Sequence, residues 1–196
     1  MLLPIRQTGD LVLRQPARSL TSREIVSAPI QELIASMFET MRAAPGVGLA
    51  APQIGMPLQL AVIEDPVDSI GKLPPGYAAE RLRQAVAPHV IVNPRLTLDG
   101  PPDVEFFEGC LSVPGFSAIV PRALAVRVDC LNERAEPVTI HARGWYARIL
   151  QHEIDHLNGT LYIDRMMTRS FTGRENFERY WKDQSVADCR RLLGDA

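Results

Sequence analysis

The sequence predicts an α+β fold. Short, mostly antiparallel strands should pack around one central helix, with further helices towards the N- and C-terminal ends. Three observations carry that expectation. Strand-like runs recur at 90–98 (VIVNPRLTL), 117–122, 124–131 (LAVRVDCL) and 137–142, the last two joined by NERAE as in a hairpin. Residues 145–158 (WYARILQHEIDHLN) carry a strong helical pattern that stops at Asn158-Gly159, a good C-cap pair. Finally, 46% of the 196 residues are hydrophobic and 22% charged, ordinary for one soluble globular domain spanning 1–196. A chain of this size can bury about 70% of its unfolded surface without disulfide or metal staples.

The remaining elements follow in chain order. Ile30, Leu33, Ile34, Met37 and Met41 recur at helical spacing, Ser27 is a suitable N-cap and Pro29 suits a first turn, so a helix is expected over about 28–43, stopped by Pro45-Gly46. The segment GVGLAAPQIG (46–55) is too short and too broken for a regular element and reads as a tight turn or a binding loop. A strand is expected at 58–64 (LQLAVIE). The connection over 66–89, with Pro66, Pro74, Pro75 and Pro88, reads as a surface loop. After the 145–158 helix, LYID (161–164) suggests a short strand. Thr172-x-x-Glu175 has the pattern of a capping box, opening a C-terminal helix over about 173–193 with Phe177, Trp181 and Cys189 along it. There is no internal repeat and no low-complexity segment.

Charge and cysteine usage exclude several classes. A net charge of -2 gives no basic surface for nucleic acid or anionic membrane. No stretch approaches the roughly 20 apolar residues of a membrane span. Arg6 and Asp10 fall where a secretory signal would need an apolar run, and no organellar presequence is recognised, so the expected compartment is the cytoplasm. The three cysteines (Cys110, Cys130, Cys189) are odd in number and widely spaced, which excludes a disulfide framework and a four-cysteine zinc site. A functional cysteine here would act as a thiolate, either nucleophile or ligand.

The sharpest local signal is H-E-x-x-H: His152, Glu153, Ile154, Asp155, His156. On a helix, positions i and i+4 share a face, so both imidazoles can reach one ion, while Glu153 can address a water on that ion. Two histidines do not complete a site, since catalytic zinc-type centres use three protein ligands and one open position. The extended protease motif would place a third histidine at 162, which is Tyr, and no histidine follows His156. Two sources of a third ligand remain open. One is a downstream carboxylate, Glu175 or Glu178. The other is an upstream thiolate, Cys110 in E-G-C-L-S, where Gly109 relieves crowding and Glu108 and Ser112 can supply supporting hydrogen bonds.

Three separated blocks, GVGLAAPQ (46–53), EGCLS (108–112) and QHEIDHLNG (151–159), together resemble peptide deformylase. The stretches VPGFSAIVPR (113–122) and GWYARIL (144–150) resemble the form shared by bacterial and organellar members, so the likeness covers at least 28–165. The resemblance implies that Cys110, His152 and His156 ligate one divalent metal, iron(II) first, with zinc, nickel or cobalt as alternatives, leaving a fourth position for water. It implies Glu153 as general base and then acid, and the Gln53 side-chain amide and Leu111 N–H as oxyanion donors. Val47 and Gly48 would pair the substrate as an added strand, and Arg122 and Asp155 would support the site. The implied reaction is removal of the N-formyl group from formyl-methionine on newly made chains, releasing formate.

Trp145 and Ile149 share the helical stripe of His152 and His156. They read either as the methionine pocket or as plain core. Ser117 departs from the pattern, standing where some members carry an arginine that can grip the peptide backbone. The C-terminal helix mixes Arg174, Arg179, Lys182, Arg190 and Arg191 with acidic residues. In the family such a tail can touch the ribosome near the exit tunnel, and the competing reading is a solvated amphipathic helix. Competing functions are a metalloprotease with Glu175 or Glu178 as ligand, an amidase with Cys110 as nucleophile, and a non-catalytic ribosome-associated relative.

Overall fold

Alternation along two strands decides the layering. Leu60 and Val62 on one strand, with Val90 and Val92 on the next, join a core cluster with Ile34, Met37 and Met41 of the N-terminal helix. The intervening Ala61, Ile63 and Ile91 join a second cluster with Ala147, Leu150, Ile154 and Leu157 of the central helix. Successive side chains of a strand point to opposite faces, so a sheet covered on both sides needs unbroken apolar runs, and LAVI and VIV supply them. The computed structural model describes residues 1–73 and 75–194. Pro74 of the Pro-rich connection and the last two residues lie outside them.

Eight strands are described: β1 Gly48–Ala50, β2 Leu60–Asp65, β3 Val86–Asp99, β4 Val104–Cys110, β5 Val113–Arg122, β6 Ala125–Leu131, β7 Pro137–Arg143 and β8 Thr172–Gly173. Five form one sheet in the order β1-β2-β3-β6-β7, and three form a second in the order β4-β5-β8. Every pairing between named strands is antiparallel. The N-terminal helix spans Ala28–Ala43 and the central helix Trp145–Leu157. The α+β expectation, the two long helices and the β6–β7 hairpin therefore match the structure.

The central helix is set by its first residue. Gly144 caps it at φ +64, and a Cβ there would stand 2.5 Å from Leu82 Cβ and 2.7 Å from the Arg81 carbonyl oxygen, so no other residue fits. Trp145 N–H donates to that same Arg81 carbonyl at 2.9 Å. Midway, Gln151 clamps the helix to the end of β5, donating to the Ala123 carbonyl at 2.9 Å and accepting from its N–H at 3.0 Å.

Four local expectations are corrected. The block 46–55 is more regular than expected: β1 occupies Gly48–Ala50 and a 3-10 turn Ala51–Ile54. β4 had no counterpart in the sequence reading, because Glu105 and Glu108 interrupt its apolar pattern. LYID is not a strand: Asp164 accepts from Leu161 N–H at 2.7 Å and its own N–H donates to the Leu161 carbonyl at 2.9 Å, closing a 3-10 turn at Tyr162–Asp164.

The helix expected over 173–193 is broken. Thr172 pairs with Ser117 in β8 instead of capping, the turns Arg174–Asn176 and Phe177–Trp181 follow, and a separate helix runs Val186–Leu193. Its cap is Ser185, whose hydroxyl accepts from Asp188 N–H at 3.1 Å.

Candidate metal centre

The central helix carries His152 and His156 one turn apart, and the end of β4 brings Cys110 to them. A register shift between Gly109 and Cys110 breaks the β4–β5 ladder at that point, the kind of irregularity that re-aims a side chain. The ligand atoms of Cys110, His152 and His156 all lie within 4.8 Å of one another. The Cys110 Sγ is 3.2 Å from His156 Nε2, and Ser112 N–H donates to it at 3.4 Å. Among the described residues this is the one such group of three, so neither Glu175 nor Glu178 joins it.

Cys110 and His152 are held by partners outside the ligand set, whereas His156 Nδ1 is buried without a hydrogen-bond partner among the described residues. His152 Nδ1 bonds Glu108 at 2.9 Å, which fixes the ring and leaves Nε2 free for an ion. Glu108 is buried and takes both prongs of Arg122 at 3.0 Å, plus Arg148 at 2.7 Å. Burial alone would raise its pKa, but Arg122 and the His152 bond outweigh it and hold the carboxyl well below the usual range. Arg122 reaches on to Asp155, which also accepts from Arg165 at 2.7 and 2.8 Å. Two carboxylates and three guanidiniums thus tie β4, β5 and the central helix together beneath the cluster.

The donor set fits a cation. Burial disfavours charge on His152, yet its bonds to Cys110 and Glu108 raise its pKa well above the ordinary value. The site therefore attracts positive charge. Burial lowers the pKa of His156, keeping it the neutral imidazole a ligand must be. Thiolate plus two imidazoles is a tetrahedral ligand set of catalytic type, three ligands with one position open.

Glu153 stands beside the ligands with one carboxylate oxygen, Oε2, buried and without a hydrogen-bond partner among the described residues. Burial chiefly raises its pKa to about 7, against the opposing effect of His152. Gly48 makes this possible: a Cβ there would lie 2.3 Å from Glu153 Oε1, so the edge of β1 accepts the carboxylate only as glycine. Gln53 is oriented by Ala50 N–H, which donates to its Oε1 at 2.8 Å. Its Nε2 is thereby aimed at Cys110 Sγ (3.6 Å) and the Ser112 hydroxyl (3.3 Å).

A cleft of about 560 Å³ opens onto this group. Val47, Gly48, Gln53, Leu111, Trp145 and Ile149 line it, together with Cys110, His152 and Glu153. Trp145 and Ile149 also pack in the sheet cluster, so they line the cleft and belong to the core at once.

A family model described as polypeptide deformylase matches residues 2–171. The chain belongs to that family. It is 47% identical over 174 residues to a chloroplastic peptide deformylase 1A of Solanum lycopersicum, covering 89% of this chain and 63% of that one. It is 41% identical over 192 residues to peptide deformylase 1 of Streptomyces coelicolor, covering 98% and 86%. The chain thus spans less than two thirds of the length of the plant relative.

Among solved structures, a class I type b peptide deformylase from Acinetobacter baumannii with Met-Ala-Ser bound aligns with TM-score 0.75 at 32% identity, covering 85% of this chain and 99% of that one. A Synechococcus elongatus deformylase in complex with actinonin aligns with TM-score 0.69 at 33% identity, covering 99% and 87%. Deformylases are metal-dependent, and the Cys110–His152–His156 group is where this chain can hold the ion.

Sequence reasoning missed three contributors. Arg148 donates to Glu108 and to the Val120 and Val104 carbonyls; its position four residues before His152 was the available signal. Gln151 clamps Ala123, with no pattern to reveal it. Tyr162 stacks near His152, centroids 6.3 Å apart, and this is the position where a third histidine was sought.

Proposed function

We propose that this chain hydrolyses the N-formyl group of formyl-methionine at the N-terminus of newly made polypeptides, releasing formate. The observation that carries this reading is the buried, unpartnered Glu153 oxygen beside the Cys110–His152–His156 group in a peptide-sized cleft. Cys110, His152 and His156 would hold a divalent ion, iron(II) with zinc, nickel or cobalt as substitutes, and it would lower the pKa of a water towards about 7 and polarise a carbonyl.

The protein's own groups do the rest. Gly48, the first residue of the strand that ends the five-stranded sheet, and Val47 just before it align the substrate backbone by strand addition. Trp145 and Ile149 receive the methionine side chain. Glu153 takes a proton from the attacking water as its oxygen bonds the formyl carbon. The Gln53 Nε2–H and the Leu111 N–H donate to the former carbonyl oxygen as charge builds on it. Glu153 then gives its proton to the departing nitrogen, the C–N bond breaks, and formate and a free methionine amine leave. The Met-Ala-Ser bound to the Acinetobacter relative has the form of such a product.

Two further partners and a compartment belong to this reading. Nascent chains are the physiological substrate, and a ribosome contact would use the C-terminal helix, where Arg191 is exposed and pairs with Asp188 of the same helix, while Arg190 pairs with Glu105. A reducing cytoplasm suits the Cys110 thiolate. No helix among the described residues is long and apolar enough to cross a membrane, and relatives include chloroplastic and mitochondrial proteins.

The test is formate release from formyl-Met-Ala-Ser by protein purified without oxygen, with and without a chelator. Release abolished by chelation supports the reading. Release that survives chelation points to Cys110 as nucleophile, and internal peptide cleavage without formate points to a protease.

A further inference from the structure

The family match ends at residue 171, yet the residues after it turn back over the cleft. Thr172 and Gly173 pair with Ser117 and Phe116 of β5. Phe177 sets its ring against Phe107 of β4, centroids 5.0 Å apart. This anchoring brings Arg174, Phe177 and Glu178 into the cleft lining.

The charges there are unequal in availability. Glu108 and Arg148 neutralise each other in the buried network, Glu153 faces the metal group, and Glu178 pairs with Lys182 at 3.1 Å. Arg174 is exposed and has no hydrogen bond or ion pair among the described residues. It is the free cation of the cleft.

We propose that Arg174 is a specificity-determining residue that selects peptides carrying acidic side chains downstream of the first residue over those carrying basic ones. The inference rests on the peptide reading of the cleft given above. A guanidinium on the cleft wall attracts a carboxylate and repels an ammonium, and β8 and the Phe107–Phe177 contact anchor the backbone that carries it beside the substrate path.

The experiment compares C-terminally amidated formyl-Met-Ala-Asp-Asp and formyl-Met-Ala-Lys-Lys at low salt. The expected KM is about two- to five-fold lower for the acidic peptide, the size of an exposed ion pair, with kcat similar for the two. The ratio shrinks as salt is added, disappears in Arg174→Ala, inverts in Arg174→Glu and is partly kept in Arg174→Lys. Absence of the preference, or its survival in Arg174→Ala, overturns the proposal.

Binding of the unformylated Met-Ala-Asp-Asp and Met-Ala-Lys-Lys amides, by calorimetry, separates this from the reaction itself. If no formyl peptide is hydrolysed while the Arg174-dependent binding ratio remains, the reaction reading fails and the role of Arg174 stands.

Discussion

Glu153, Gly48 and Gln53 form a unit whose members fail in different ways. If Glu153 is the proposed base, Glu153→Gln keeps the shape but cannot take a proton, and kcat should fall by about 10²–10⁴ with metal content unchanged. Gly48→Ala would place a methyl on Glu153 Oε1. A displacement of about 1 Å at such a base costs on the order of 10²-fold in rate, again with metal retained. On the proposed reading Gln53→Ala removes one oxyanion donor, and kcat should drop by about 10²–10³. Glu108→Ala differs from all three. It leaves Arg148 buried without a carboxylate and Arg122 with Asp155 alone, so unfolding free energy should fall by about 3–5 kcal/mol and metal affinity by about 10–100-fold. Denaturant unfolding and a chelator competition measure the two effects separately.

At the scale of elements, what was legible in the sequence is what local pattern determines. The helix Ala28–Ala43 and the helix Trp145–Leu157 were readable because their apolar spacing and stops agree with their packing. Eight of the candidate site residues (Val47, Gly48, Gln53, Cys110, Leu111, His152, Glu153 and His156) were visible because they fall within the three blocks. β4 was not legible: Glu105 and Glu108 break its apolar run, and the partners that let Glu108 be buried, Arg122 and Arg148, come from two other elements. The C-terminal region misled in the opposite way. Thr172-x-x-Glu175 has the right letters for a cap, but the pairing with Ser117 claims Thr172 first, and tertiary contact overrides a weak local preference.

Where local chemistry does rule, it gives a testable element. The one-turn helix Ser22–Ile25 closes with a full capping box between Thr21 and Glu24. The Thr21 backbone N–H, followed by Arg18 and the Thr21 hydroxyl, holds Glu24 down to about 2. Because this folded-state pKa lies below the unfolded one, the cap's stabilisation is complete above about pH 4.5 and fades as pH falls towards 2. An NMR titration should place the Glu24 midpoint near 2, and a midpoint near 4.5 would show that the box does not persist in solution.

For the whole molecule, the metal group joins the two sheets. Cys110 belongs to the three-stranded sheet, while the helix bearing His152 and His156 packs on the five-stranded one. An ion bound to all three therefore stabilises the assembled fold over any state in which the sheets separate. At a free concentration near a thousand times its dissociation constant it contributes about 4 kcal/mol, and its removal should lower Tm by roughly 10 °C in a chain of this length. Cys110→Ala should show the lower Tm with or without added metal.

The most direct test of the central claim measures bound metal and formate release on the same oxygen-free preparations of the parent chain, Glu153→Gln and Cys110→Ala. The account predicts one divalent ion per chain and formate release in the parent, one ion with little release in Glu153→Gln, and neither in Cys110→Ala. Full metal content in Cys110→Ala, or undiminished formate release by Glu153→Gln, would contradict it.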